Sequence, residues 1–435
     1  MHPQTSGHHD SRYRPAAVKS PTPIPSSVFT ATPKQPENGS PIAEHSGAIV
    51  TGADYRGLGI VRSLGRRGIP VWVLREDGHF LGAASRYASR SIRWPEGDGF
   101  SQVEFLINLS MREGLKGWSL FPTTDELVML VARHHKSLAA HYRPTIPSWD
   151  TLQWVCDKRL LHQLAETVGI SQPWTFFPRN RQELSSLQCG FPVILKPALR
   201  VASNRFTKDK AWLATDRDSL LARYDEAASL VGPEMVMVQE LIPGWGEAQF
   251  SYAALCKDGR PIASIAARRT RQFPMDFGRF STYVESVDEP RVVEPAVRLL
   301  TAAGLTGIVE VEFKKDSRDG QYKLLDVNPR VWGWHTLGQR AGVDFPHLLW
   351  LLVNGERLTE VRGRAGERWM RFSADLPMAI HEIFKGRLSV WEYLRSLRVP
   401  LESAIFAWDD PLPGLLEVPS LASLLTRRMS LGKGI

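Results

Sequence analysis

The stretch "TGIVEVEFKKDSRDGQYKLLDVNPRVWGWH", residues 306–335, decides how this chain is read. Two apolar runs flank an Asp319-Gly320 turn, the pattern of two neighbouring β-strands. Side chains alternate across a strand, so Glu312 stands on one strand while Asp326 and Asn328 share a face of the next. Arg330 follows on that same face, and Glu310, with the parity of Glu312, is its rival. Oxygen-bearing side chains converging from adjacent strands suit a hard cation such as Mg²⁺ bridging phosphate groups. Burying them with no metal or counter-charge would cost on the order of several kcal/mol per ion, which argues against a purely structural set.

Working outward, "FPVILKPA" (191–198) is an apolar strand that presents Lys196 at its end, a compact cation for phosphate oxygens. Lys158 opens the helix of "DKRLLHQLAETVGI" (157–170), which stops at Gly169 as helices commonly do. "QELIPGWGEAQ" (239–249) resembles an adenine hinge, in which extended backbone from Gln239 through Glu240, Leu241 and Ile242 offers N–H and C=O groups to a purine edge; a Pro-Gly turn with solvated acids is the alternative reading. Glu247, seven residues after Glu240, is an acceptor-only side chain suited to two ribose hydroxyls. "ARRTRQ" (267–272) sets Arg269 and Arg271 two apart on a strand, a spacing that places both on one face as a carboxylate clamp. A solvated strand edge explains the same run. Trp332 and Trp334 flank Gly333 and are candidates for the wall of an acceptor pocket or for core.

Near the start, "AIVTGADYRGLGIVRSLGRRGIPVWVLRED" (48–77) raises a competing reading. Its spacing Thr51-Gly52…Gly57-Leu58-Gly59 resembles the cofactor loop of short-chain dehydrogenases. Those enzymes also need a tyrosine followed four residues later by lysine, and none of the nine tyrosines here meets that rule. The glycines then read as tight packing of a helix on a sheet. No phosphate loop of the G-x-x-x-x-G-K-[ST] type is present, and "HEIFK" (381–385) lacks the second histidine of a zinc protease.

Length and composition set the frame. At 435 residues the chain exceeds one core, so several domains are expected. No run of about 18 apolar residues predicts a membrane span, and the N-terminus lacks a secretory apolar core. Three scattered cysteines give no disulfide framework or zinc ribbon and fit a reducing cytoplasm. The net charge of +8 is spread without Lys/Arg blocks, which argues against nucleic acid and leaves a polyanionic small ligand. Residues 1–44 are rich in Pro, Ser, Thr and His and are expected to be disordered. From 45 to 147 strands (48–52, 70–74, 91–94, 118–122) alternate with helices (57–67, 100–114, 125–140), predicting a parallel α/β sheet.

Taken together and in this order, the four clusters around Lys158, Lys196, Glu240 and Glu312–Arg330 resemble the ATP-grasp superfamily of carboxylate–amine (or carboxylate–thiol) ligases, nearest to its D-aspartate-ligase-like branch. The resemblance covers about residues 48–350. It implies an α/β ATP-grasp fold with an N-terminal Rossmann-like pre-ATP-grasp sheet (45–147), a small subdomain (148–232), a large subdomain with the magnesium site (233–350) and a helical C-terminal extension (351–435). It further implies ATP and Mg²⁺, a small carboxylate and an amine as substrates, an acyl-phosphate intermediate, and often a dimer. Lys158 and Lys196 would hold ATP, Glu312, Asp326 and Asn328 the metal, and Arg330 the phosphoryl and acyl groups. Substrate contacts come from loops of the first subdomain, with "TTDE" (123–126) as a candidate. Two departures stand out: the loop after Lys196 (198–209) has no glycine, leaving Ser203, Asn204 and Lys208 to cover phosphates, and Asp326 stands where the family usually has Glu. A catalytically silent ATP-binding scaffold and the oxidoreductase remain as alternative readings.

Overall fold

A computed structural model describes residues 46–200, 204–209, 211–244, 246–273 and 280–417. The tail 1–44, Ser203 and the basic end from 418 lie outside the described residues. Three sheets organise the chain. The first takes β1 (Ala48–Thr51), β2 (Val71–Arg75), β3 (Arg90–Arg93), β4 (Trp118–Pro122) and β5 (Tyr142–Pro144) in the order β3-β2-β1-β4-β5. All its pairings are parallel, as the alternation of strands and helices requires. β1 is buried throughout because helices cover both faces of the sheet.

The second sheet is small: β6 (Thr175–Phe176), β7 (Val193–Pro197), β8 (Trp212–Ala214) and β9 (Val236–Glu240), ordered β6-β9-β7-β8 and antiparallel. It closes its own core of Leu184, Val193, Leu195, Phe206, Trp212 and neighbours. The third sheet holds β10 (Gln249–Lys257), β11 (Arg260–Phe273), β12 (Phe280–Val287), β13 (Gly307–Lys315), β14 (Tyr322–Asn328), β15 (Val361–Arg362), β16 (Arg368–Met370) and β17 (Leu401–Ser403). Its order is β14-β13-β10-β11-β12-β16-β17, with β15 beside β11. A tight turn at Asp258-Gly259 joins β10 and β11, with Asp258 at φ 50°. The C-terminal segment supplies helices Phe372–Phe384 and Val390–Leu397, and also three short strands that extend the large sheet.

The glycine-rich stretch after β1 owes its composition to packing. Helix α1 (Tyr55–Gly65) starts at Asp54, whose carboxylate accepts from the N–H groups of Arg56 and Gly57. Gly52 has φ +117°, a conformation that a side chain resists, and lies against Thr123. Gly59 faces the segment after β14: a Cβ there would come 2.5 Å from the His335 imidazole Nε2. Gly59→Val is therefore expected to overpack this seam and to cost about 1–3 kcal/mol, measured as a fall in the denaturation midpoint. A midpoint equal to wild type would show that the helix can lift without penalty.

His335 itself is buried, with Nδ1 2.9 Å from the Trp332 carbonyl. Burial drives its pKa down from 6.5 to about 4, and only the Trp332 carbonyl and distant carboxylates resist. The unfolded chain thus takes up a proton before the folded one as pH falls. Stability from this group is complete above about pH 6.5 and is lost on descending towards pH 4, by about 2 kcal/mol between pH 7 and 5. Urea titrations at those two pH values check it; His335→Gln should flatten the difference, and an unchanged slope would contradict it.

Candidate active site

The site begins with strand register. Glu310 lies opposite Asn328 and Glu312 opposite Asp326 in the β13–β14 ladder, so all four side chains stand on one face. Ser251 on β10 and Ala267 on β11 continue the row of Glu312. Just beyond Glu312 and Asp326 the register shifts, Phe313 facing Leu324, and the acids therefore sit at the end of the regular ladder.

Each acid has a cation. Arg269, on β11, reaches Glu312 at 2.7 Å and Glu310 at 3.0 Å, all three buried. Burial opposes the guanidinium charge, but the two carboxylates outweigh it and raise its pKa. Lys158, at the start of the helix Lys158–Thr167, is 2.5 Å from Asp326, and its backbone N–H donates to the Ala198 carbonyl beyond β7. Burial and the facing Glu312 both resist ionisation of Asp326, yet Lys158 and Lys196 hold its carboxyl below the usual range. Asn328 donates to Glu312 at 2.8 Å and accepts from Arg330 at 3.2 Å.

The structure separates Glu310 from Glu312 by their partners. Glu310 accepts from Ser251 (2.9 Å), Trp334 (2.9 Å) and Arg269, and Asn328 lies at 3.3 Å. It is the more enclosed of the two and acts as the counter-ion of the sheet interior. Trp332 and Trp334 are both fully buried, at 1% exposure each, so they belong to the core, with the Trp334 indole N–H fixing Glu310.

Lys196 lies inside the small sheet, its ammonium 2.9 Å from the Gln239 carbonyl oxygen, while the Gln239 amide donates to Thr175 at 3.0 Å. The expected hinge is already engaged. The Glu240 N–H donates to the Trp174 carbonyl and the Leu241 N–H to the Pro192 carbonyl at 3.4 Å. The Ile242 carbonyl accepts from Lys314 at 2.9 Å, and the same ammonium reaches the Gly244 carbonyl at 2.6 Å. The Glu240 carboxylate is spent on the Trp174 N–H and Arg318, with Lys323 at 3.4 Å. Lys314, two residues past Glu312, shares the acid face and shapes the hinge; its alternation with Glu312 was the only signal for it.

Two expected members fall elsewhere. Arg269 and Arg271 do not share a face, because irregular pairing with β12 between Arg268 and Arg271 inserts an extra residue in β11. Arg271 then lies opposite Tyr283, on the far side of the sheet from Glu312. There it makes a two-pronged pair with Asp375 (2.9 and 2.7 Å), donates to Ser396 and stacks over the Tyr283 ring at 4.1 Å. Glu247 is exposed and lines, with Thr270, Arg271, Tyr283 and Glu285, a cavity of about 680 Å³ bounded by the C-terminal helices. Neither residue joins the cluster around Glu312. Asn204 caps the short helix Arg205–Lys208 through Thr207, so its side chain is committed locally.

Arg330 is the junction of the site. Nε and Nη2 donate to Asp125, the second at 3.2 Å, and Nη2 also reaches Asn328. Asp125 opens helix α2 (Asp125–Arg133) after β4, within the "TTDE" segment, and also accepts from Arg200 at 3.1 Å. Arg56, paired with Asp54, lies close enough to Arg330 for the two guanidiniums to repel. Asp125, Lys158, Arg200, Asp326 and Asn328 line one small pocket. Loops after β1 and β4 therefore meet the acid face where the strand order of the first sheet reverses, the usual place for a ligand in such sheets.

Among the described residues no three His, Cys, Asp or Glu side chains form a metal cage. The donor set nonetheless fits Mg²⁺, which is commonly bound by one or two carboxylates and completed by phosphate oxygens and water. Glu312, Asp326 and the Asn328 amide supply hard oxygens side by side on one face.

The chain resembles known proteins. Residues 233–370 match the family model described as ATP-grasp in the biosynthetic pathway with Ter operon. The fold is the ATP-grasp fold, and the family match falls on the strands from β9 to β16 that include the acid face. Over 236 residues the chain is 24% identical to D-aspartate ligase of Enterococcus faecium, a match covering 49% of this chain and 53% of that protein. Over 205 residues it is 21% identical to the N-terminal section of the carbamoyl phosphate synthase large chain of Methanopyrus kandleri, covering 45% and 35%. The chain thus spans about half or less of the length of these relatives. Among solved structures it is similar to N5-carboxyaminoimidazole synthetase from Staphylococcus aureus (TM-score 0.58, 14% identity, 78% of this chain and 86% of that one). It is also similar to L-amino acid ligase from Bacillus licheniformis (TM-score 0.56, 14% identity, 73% and 76%).

Proposed function

We propose that the chain is an ATP-dependent ligase that joins a small carboxylate to an amine. The observation that carries this reading is the alignment of Glu312, Asp326, Asn328 and Arg330 along one side of the β13–β14 pair, with Lys158 held against Asp326. The similarity to D-aspartate ligase and to L-amino acid ligase supports amide formation as the reaction. No oxidoreductase chemistry is needed to explain the glycines after β1, since Gly59 is consumed in packing against His335.

In this mechanism a substrate carboxylate oxygen attacks the γ-phosphorus of ATP and the bond to the bridging oxygen of ADP breaks. The resulting acyl phosphate is attacked at carbon by the amine; the phosphate leaves, and the nitrogen gives up a proton to yield the amide. Lys158 and Lys196 neutralise phosphate oxygens, and Arg330 donates to the oxygens on which charge builds. Glu312, Asp326 and Asn328 would hold Mg²⁺, which supplies charge neutralisation at the phosphates. Catalysis is then positioning and electrostatics, with no protein nucleophile.

A screen of acid and amine pairs for ADP release, with Lys196→Ala as the blank, tests the reading. The expected result is ADP formation that requires both partners and is lost in the variant. Binding of Mg²⁺·ATP with no ADP from any pair would overturn it.

A further inference from the structure

We propose that Asp125 is a positioning residue: one carboxylate that orients Arg330 and latches the sheet carrying Lys196 onto the site. Asp125 is the only carboxylate of the described residues that accepts from both Arg200 and Arg330. Those two arginines leave different sheets. Arg330 follows β14 of the large sheet, and Arg200 follows β7, three residues beyond its end at Pro197. Asp125 stands at the exit of β4 in the first sheet, at the start of α2, where the helix N-terminus favours a negative charge. A single side chain therefore ties all three sheets together beside Lys158 and Asp326.

The charge distribution explains why a carboxylate is needed there. Arg56, Arg200 and Arg330 all lie close enough to hold the Asp125 carboxyl well below the usual carboxylate range, against the resistance of burial. Without that charge the three guanidiniums would lose the carboxylate they share: Asp54 is already paired to Arg56, and Glu310 and Asp326, which also attract Arg330, are paired to Arg269 and Lys158. Arg330 would then turn away from Asn328, which in turn orders Glu312. Asp125 thus acts on the reacting groups through Arg330. Arg200 is the mobile half of the device, because the β7 sheet has its own core and can move as a unit.

This inference rests on the ligase reading above, and the experiment separates the two. Asp125→Asn, Asp125→Glu and Arg200→Ala are compared with wild type in the full-length chain. In the ADP-release assay Asp125→Asn should lower kcat about 10²-fold and raise the nucleotide KM no more than the loss of Arg200 does; the longer acid should recover part of the rate. Arg200→Ala should mainly raise the nucleotide KM. Independently of turnover, Mg²⁺ with a non-hydrolysable ATP analogue should slow hydrogen exchange of residues 193–200 in wild type, and this protection should be lost in Asp125→Asn and Arg200→Ala. If wild type releases no ADP, the ligase reading fails and exchange alone decides the latch. A wild-type kcat in Asp125→Asn, protection unchanged in either variant, or no protection in wild type would each overturn the proposal. A loss of stability alone, with kcat per folded molecule unchanged, marks a plain structural ion pair and overturns it too.

Discussion

Arg330→Ala should reduce ADP release by about 10²–10³-fold in kcat while leaving nucleotide affinity within a few-fold of wild type. The reasoning is differential: a preorganised donor aimed at charge that appears only during phosphoryl transfer contributes about 3–4 kcal/mol to the transition state and little to the ground state. Arg330 is built for this. Its guanidinium is oriented by Asp125 and Asn328 and donates to its neighbour's carbonyl at Val331, so little reorganisation accompanies the reaction. Burial works against the charge, and Asp125 restores it, keeping the group ionised at any accessible pH. Arg330→Lys should rescue little, because a point charge cannot serve Asp125 and Asn328 together. Single-turnover kinetics with saturating ATP provide the check; an unchanged rate would remove Arg330 from the chemistry.

The second large effect concerns the acid pair. Asp326→Ala should abolish the Mg²⁺-dependent part of nucleotide binding, a loss of about 10–100-fold in affinity, and should also destabilise the empty protein. The stability loss follows because Lys158, in a largely enclosed place, loses its 2.5 Å partner. Both side chains retain some solvent contact, so about 2 kcal/mol is expected rather than the full cost of a wholly buried pair. Glu310→Gln offers the contrast. That change disturbs Arg269, Trp334 and Ser251 and should lower stability, while Mg²⁺-dependent binding persists. Thermal shifts with ATP, with and without Mg²⁺, separate the two variants; equal loss in both would return Glu310 to candidacy as a ligand.

The large-sheet face was legible in sequence because period-two alternation maps directly onto a strand face, and Glu312, Asp326 and Asn328 obey it without interruption. The same rule failed at Arg271, where one inserted residue turned the side chain to the opposite face; bulges leave no mark in side-chain chemistry when no glycine accompanies them. The hinge was located by its resemblance to an adenine-binding segment, yet Lys314 claiming the Ile242 and Gly244 carbonyls depends on two strands distant in sequence. Asp125 stood out in sequence only within "TTDE", as a candidate for substrate contacts, because its partners Arg200 and Arg330 lie 75 and 205 residues away. Similarly, Gly57 and Gly59 looked like a cofactor loop because a close helix contact and a phosphate contact both demand the absence of a side chain. His335, far along the chain, is what distinguishes them.

The C-terminal segment shows a different limit. Its helices follow from periodicity, but strands of two or three residues carry too little pattern to recognise. β15 and β16 are held by pairing with β11 and β12, and β17 by pairing with β16, so tertiary context decides them.

A crystal structure of the full chain with Mg²⁺ and a non-hydrolysable ATP analogue tests the central claim most directly. The account predicts metal bound by Glu312 and Asp326, with Asn328 completing the protein side and the terminal phosphate facing Arg330. A nucleotide seated on the glycines after β1, or a triphosphate remote from these four residues, would contradict it.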